Sequence, residues 1–275
     1  MTHVKKGFLA IFTVLYCTVN AVKFLDMAPN AVDNLYEGCE KETMEKLIHS
    51  DVLRQELRNN TGFQEAWSER CSTLLPGGVK EHTSALLAYA SGNQAFKKAF
   101  NDEVETMGVN VSTYEDHFHY KALHFLLMDA MRLASPKICR NVYRVSESPY
   151  EIKRDTRVRF GRFTTVQSDL SLKEDVEGST YFNITTCFFF NLEGFCGLSE
   201  DTAILSPTEE FTVEDVKHVI DGDYTEVILN HSKLKASVNC YSLSRAPAGY
   251  IPQWLVMMLV YFVLLETFSH DYLCL

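Results

Sequence analysis

Three groups of side chains in this 275-residue chain have the types needed for catalysis or ligand binding. The first is a run of imidazoles, His117, His119 and His124. On a helix, positions two apart point about 200° away from each other, so His117 and His119 do not converge on one metal ion. Helix-surface or core histidines are the simpler reading. The second group is acidic, Glu200 and Asp201 with Glu209 and Glu210 nearby. Paired carboxylates serve acid–base or cation-stabilising chemistry, but a short acidic stretch between apolar runs reads first as a solvated loop. The third group is the cysteines: with Cys17 and Cys274 set aside in apolar ends, Cys39, Cys71, Cys139, Cys187, Cys196 and Cys240 remain. They contain no CxxC pair and no histidine at finger spacing, so zinc is not expected, and an even set in an exported chain reads as disulfides with the pairing left open. No nucleophile elbow, phosphate-binding loop or dinucleotide glycine fingerprint is present.

The ends point to export. Lys5 and Lys6 precede an apolar run from Phe8 to Tyr16 that exits through Val19-Asn20-Ala21, the order of a secretory signal over residues 1–21. Residues 251–275 hold a second apolar run, Trp254 to Leu265, preceded by Ser242, Ser244, Ala246, Ala248 and Gly249, the order of a lipid-anchor signal. A short membrane anchor and a secreted form are the alternatives, because the run is shorter than the ~20 residues a spanning helix needs. The reading is a cell-surface or secreted protein, held to the membrane through this tail. Sequons at Asn59, Asn110, Asn183 and Asn230 are glycosylation candidates in that compartment. With 26 Lys and Arg against 36 Asp and Glu, the net charge of −10 and the lack of a basic block exclude a nucleic-acid partner.

The elements that must position these groups form one domain, residues 22–250. Met44, Leu47, Ile48, Leu53 and Leu57 recur at helical steps up to Asn59-Asn60-Thr61-Gly62, and a second helical segment runs from Ala85 to Tyr89 and on to Phe96 and Phe100, interrupted at Ser91-Gly92. Tyr114 to Leu133 predicts one continuous helix with Phe118, Ala122, Leu126, Ala130 and Leu133 on a single stripe. After Cys139 the pattern changes to strands at Val142–Val145, Arg157–Val166, Tyr181–Phe190, Ala203–Leu205, Thr225–Leu229 and Ala236–Leu243. Helices first and strands afterwards predict an α+β fold, a helical half packed on antiparallel or mixed sheets.

Several blocks recur in a familiar order. They are Leu25-Asp26-Met27-Ala28-Pro29-Asn30 with Asp33 and Tyr36-Glu37-Gly38-Cys39; His82 with Ala85 to Tyr89; Tyr120 to Leu127; Cys139 to Arg144; Val158 to Thr165; Ile204-Leu205-Ser206-Pro207; and Asn239-Cys240. Taken together the chain resembles the arginine-specific mono-ADP-ribosyltransferases of vertebrate cell surfaces, over nearly all of its mature length. The resemblance implies the ADP-ribosyltransferase fold with an NAD cleft, NAD or NADP as co-substrate without a metal, and arginine side chains of extracellular or secretory-pathway proteins as acceptors. It also implies disulfides Cys39–Cys240 and Cys139–Cys187, leaving Cys71 and Cys196 as a further pair.

By the same resemblance Arg144 holds the NAD phosphates, Thr165 takes the position of a serine that supports the ribose, Glu200 is the first glutamate of an E-x-E motif, and Tyr89 is a nucleotide-contacting aromatic. Two departures bear on activity. Val145 stands where the family has glycine, and Thr202 stands where the family has the catalytic glutamate. A hydroxyl carries no charge to oppose a cationic transition state, and loss of one preorganised electrostatic group slows a reaction by roughly 10²–10³. Asp201 is a poor substitute, since neighbouring strand residues face opposite sides. The expectation is a transferase with little or no turnover; the alternative is a catalytically silent binding module on the same scaffold.

Overall fold

A computed structural model describes residues 23–68, 71–134, 138–169, 180–198, 201–234, 236 and 239–241. The expected signal (residues 1–21) and hydrophobic tail (251–275) lie outside the described residues, as does Glu200.

The first half is helical. α1 (Glu40–Leu47), α2 (Val52–Asn59) and α3 (Thr61–Ala66) lead to α4 (Lys80–Ser91), α5 (Gln94–Thr106), α6 (Val111–His117) and α7 (Lys121–Ala134). Asparagine side chains start three of these, Asn60, Asn93 and Asn110 accepting the backbone N–H of Phe63, Phe96 and Thr113. The long apolar step from Met44 to Leu57 is therefore divided, with α1 ending before Ser50 and Asp51.

The helix expected from Tyr114 to Leu133 is also broken, because Phe118 is extended (ψ 110°) and the chain restarts at Lys121. Two distant carboxylates stabilise the break: Glu103 accepts the His119 N–H at 2.7 Å, and both oxygens of Glu56 accept the Ala122 N–H at 3.1 Å. These satisfy donors that a helix start leaves without partners. Phe118, Ala122, Leu126 and Ala130 are still buried, so the apolar stripe survives the interruption of its backbone.

Burial pushes the Glu56 carboxyl up to about 8, against the opposing pull of its backbone hydrogen bonds and Lys121. The folded chain thus binds this proton more tightly than the unfolded chain, and the stability gained below about 4.5 is lost as pH rises to about 8. Urea midpoints measured across that range are expected to fall more steeply for the wild type than for Glu56→Gln, which does not titrate. Parallel slopes would contradict the assignment.

The second half is a sheet. β1 (Lys23–Phe24) pairs in parallel with β3 (Tyr150–Glu151). The remaining strands are β2 (Arg140–Ser146), β4 (Arg157–Val158), β5 (Thr164–Gln167), β6 (Thr180–Thr186), β7 (Phe189–Asn191), β8 (Thr202–Leu205), β9 (Glu209–Val219) and β10 (Tyr224–Leu234). They form one sheet in the order β4-β9-β10-β6-β2-β5-β8-β7, antiparallel throughout except for β6 against β10. Val142, Phe182, Ile184, Phe211, Val213, Val227 and Leu229 make its core. Ile204 and Phe190 on the opposite face join the helical core around Phe63, Phe100, Phe118 and Phe125.

Three expected strands are divided or absent. The run Arg157–Val166 splits into β4 and β5, which lie at separate places in the sheet. Between them Arg159 enters a buried ion pair with Asp33 (2.7 Å), and Gly161 turns the chain at φ +65° with its Cα against Ala28. The run Tyr181–Phe190 splits at Cys187 and Phe188, whose N–H groups donate to the Glu209 carboxylate at 2.8 and 3.3 Å. At the end of the described residues, Ala236, Asn239 and Cys240 are not strand residues. Cys240 has φ +60°, its N–H donates to Asn34 Oδ1 and Asn239 Nδ2 donates to the Glu37 carbonyl, so the segment leaves the sheet for the helical half.

The sequence pattern concealed β9. A register shift opposite Ile228 and Leu229 inserts Glu214, so Phe211 and Val213 keep one parity and Val216 the other. Glu209 and Glu210, read as loop residues, are fully buried at the start of this strand. Glu209 is satisfied by Thr186, Cys187, Phe188 and His231. Glu210 lies 3.6 Å from Arg157 and 3.9 Å from Lys233. The cysteines pair as Cys39–Cys240, Cys71–Cys196 and Cys139–Cys187.

Candidate functional site

The site is built at a seam in the sheet. β2 is zipped to β6 over seven residue pairs but meets β5 at a single register pair, Tyr143 opposite Gln167. Toward Thr165 the two strands part, and Arg144 bridges the opening by donating from Nη1 to the Thr165 carbonyl at 3.3 Å. Its Nε is buried without a partner. A buried donor in that state accounts for a cost of about 1–3 kcal/mol unless something else fills it.

On the Arg144 side of the seam lies a cleft of about 480 Å³, walled by Lys23, Asp26, Tyr150, Arg159, Phe160 and Arg162 among others. The three arginines differ in what they can still do. Arg159 is spent on the Met27 carbonyl and the Asp33 carboxylate. Arg162 forms a two-point pair with Glu105, and although burial opposes its charge, this pairing raises its pKa. Arg144 has no carboxylate among its hydrogen-bond partners; burial lowers its pKa and Arg162 lowers it further. It stays charged, since guanidinium does not deprotonate in proteins. A planar donor fork beside an apolar wall suits a phosphate.

Thr165 and Thr202 meet on the other side of the seam. In the β5–β8 pairing Thr165 faces Ile204 and Gln167 faces Thr202, which makes the two threonines diagonal neighbours on one face, about 7–8 Å apart at the backbone. Thr165 is exposed and Thr202 half-buried, and neither lines the cleft wall. Continuing the Tyr143–Gln167 register brings Val145 opposite Thr165, with its side chain packed toward Tyr143 and Tyr181. Asp201 is exposed in the turn before β8, its carbonyl accepting the Ser168 N–H at 2.7 Å.

Tyr89 lies in the core beneath the seam. Its ring is buried at 2% exposure against Phe100 and Phe163, and its hydroxyl donates to the Phe163 carbonyl at 2.6 Å. Asn101 completes the bracket by bonding both the N–H and the carbonyl of Phe163 at 3.1 Å. Tyr89 and Asn101 therefore fix the backbone two residues before Thr165 from the helical side. Asn101 carries no sequence signal, because an asparagine in an amphipathic helix shows its partner only once β5 packs against it.

The remaining candidates are dispersed. His117 and His119 are exposed, His119 pairing with Glu103, while His124 is buried between the Tyr36 hydroxyl and the Val32 carbonyl. Burial pushes the His124 pKa down to about 4, so it is neutral at physiological pH. Of the sequons, Asn59 is exposed at the end of α2, Asn110 caps α6, Asn183 sits within β6 and Asn230 donates to Glu214 from β10. Among the described residues, metal-ligating groups converge only at Cys187, Glu209 and His231, away from the seam.

Comparisons with known proteins fit this geometry. A family profile described as NAD:arginine ADP-ribosyltransferase matches residues 25–237. T-cell ecto-ADP-ribosyltransferase 2 of Mus musculus is 32% identical over 86% of this chain and 83% of its own length. Ecto-ADP-ribosyltransferase 5 of Bos taurus is 26% identical over 84% and 79%. The crystal structure of the eucaryotic mono-ADP-ribosyltransferase ART2.2 superposes with a TM-score of 0.65 at 28% identity, covering 79% of this chain and 98% of that one. A variant of ART2.2 with one glutamate changed to isoleucine, in complex with NAD, superposes equally well at 27% identity over the same shares.

Proposed function

The chain belongs to the NAD:arginine ADP-ribosyltransferase family, and on that premise we propose that it binds NAD across the β2–β5 seam and transfers ADP-ribose to protein arginine at a strongly reduced rate. The observation that carries the reading is the buried, unpartnered Nε of Arg144 beside a cleft whose other arginines are already paired. NAD supplies the missing partner through its diphosphate, and its ribose reaches over the seam toward Thr165 and Thr202.

Transfer breaks the bond between ribose and nicotinamide and leaves positive charge on the sugar. Thr165 and Thr202 can donate or accept hydrogen bonds with the ribose hydroxyls, but neither opposes that charge. Binding and turnover are thereby separated. The NAD complex of the substituted ART2.2 supports the separation, since in that relative one glutamate can be removed and NAD still binds. A second reading, a silent NAD-binding module, is favoured by Thr202 itself and differs only in whether residual transfer is measurable. The three disulfides and relatives named as ecto-enzymes support a place on the cell surface, in keeping with the leader and tail expected from the sequence.

Calorimetric titration with NAD tests the reading. The wild type is expected to bind at a single site, and Arg144→Ala to weaken binding roughly 10- to 100-fold, the range for a lost charge-assisted contact of about 1.5–3 kcal/mol. Equal affinity in the two proteins would overturn the placement of the phosphates.

A further inference from the structure

At the end of the sheet away from Arg144, four successive strands bring together groups that the NAD reading does not use. Cys139 directly precedes β2 and Cys187 directly follows β6; continuing the Arg140–Thr186 register puts the two cysteines opposite each other, with Cα atoms 4.1 Å apart. His231 comes from β10 and Glu209 from β9. The ligand atoms of Cys187, Glu209 and His231 all lie within 4.8 Å of one another, and His231 Nδ1 is 2.7 Å from Glu209 Oε1. The β2–β6 ladder, rather than the sulfur bond alone, holds the cysteines in register.

We propose that reduction of the Cys139–Cys187 disulfide converts this cluster into a zinc site with Cys139, Cys187, His231 and Glu209 as its four ligands. Two thiolates, an imidazole and a carboxylate are the ligand types zinc takes, and its bonds of about 2.0–2.3 Å place tetrahedral ligand atoms ~3.3–3.8 Å apart. Cys187, Glu209 and His231 are already gathered close to this, and the Cys139 sulfur, outside their cluster, turns toward them once the sulfur bond opens. A dithiol reductant delivers two electrons and two protons to the sulfur bond and leaves as its own disulfide. Zinc then displaces both thiol protons to solvent, and His231 binds through Nδ1 as the tautomer protonated at Nε2. Supporting contacts are already present: Thr186 Oγ1 donates to Glu209 Oε2 at 2.5 Å and the Cys187 N–H donates to Oε1 at 2.8 Å. Cys139 is exposed, which gives the ion an entry path. In a chain made with reduced cysteines, zinc and the disulfide are alternative clamps on the same strand ends. The spacing of the cysteines hid the site, because its ligands come from four strands.

Cobalt(II) serves as the probe, since a thiolate ligand gives it a near-ultraviolet charge-transfer band. The full chain with its disulfides intact is expected to be silent. Cys139→Ser, with the other two disulfides intact, leaves Cys187 as a thiol beside Glu209 and His231 and is expected to bind cobalt with that band, and adding His231→Ala to weaken it roughly 10- to 100-fold. A folded Cys139→Ser protein without the band, or one unaffected by His231→Ala, overturns the proposal. Alkylation of phosphine-reduced wild type that keeps its native circular dichroism, mapped by mass spectrometry, is a second measurement that needs no substitution. Zinc is expected to slow modification of Cys139 and Cys187 at least tenfold relative to Cys71 and Cys196. Equal rates at all four overturn it.

Discussion

Thr202→Glu is expected to raise the rate of ADP-ribose transfer from NAD to an arginine-rich acceptor by about 10²–10³ over the wild type, with little change in NAD affinity. Position 202 opens β8 on the face that carries Thr165 and stands half-buried at the edge of the seam. A carboxylate there faces the sugar from which nicotinamide departs, and its charge acts where positive charge develops rather than on the ground state, which raises kcat and leaves KM nearly fixed. Initial-rate measurements with labelled NAD, run on both proteins at saturating NAD, give the comparison. Wild-type transfer as fast as that of Thr202→Glu would mean that the missing carboxylate is supplied from elsewhere and that position 202 is not the catalytic one.

Replacing both Cys39 and Cys240 by serine is expected to destabilise the domain by about 5 kcal/mol, by the chain-entropy argument for a loop of this length. The bond spans a sequence separation of 201, against 125 and 48 for the other two, and so removes the most freedom from the unfolded chain. It also closes the molecule structurally, since Cys39 precedes α1 and Cys240 follows the last described strand. Two local contacts do not depend on the sulfur bond: the backbone N–H at position 240 donates to Asn34, and Asn239 donates to the Glu37 carbonyl. They keep the native arrangement recognisable at low temperature. Chemical denaturation of the double variant measures the loss. A change under ~1 kcal/mol would show that the unfolded chain is held compact by other means.

The helical half was legible because its apolar residues recur at helical steps, although the asparagines that start three of its helices, Asn60, Asn93 and Asn110, were not read as caps. Its breaks were not, since they depend on Glu56 and Glu103, which are remote in sequence from the donors they satisfy at Ala122 and His119. Strands with clean alternation were found, while β9 was missed because the inserted Glu214 reverses its parity halfway along. Arg159 and Asp33 illustrate the same limit: each stands in an expected block, yet nothing in either block says that they form a buried pair across 126 residues.

At the site, Arg144, Thr165 and Thr202 were named by resemblance, and the pairing of β2, β5 and β8 brings their strands side by side. What no spacing could give is the parting of β2 from β5, which turns an ordinary ladder into a seam, or the partition of the cleft arginines into two paired and one still short of a partner. The packing around Tyr89 was hidden for a related reason. An aromatic on an amphipathic helix serves a ligand or the core according to what packs over it, and here that is Phe163.

The most direct test of the account follows NAD binding and ADP-ribose transfer in one preparation of the wild-type protein, using labelled NAD and an arginine-rich acceptor. The account predicts saturable binding at a single site with transfer at least ~100-fold slower than in Thr202→Glu. Absence of saturable binding, or wild-type transfer as fast as that of the substituted protein, would contradict it.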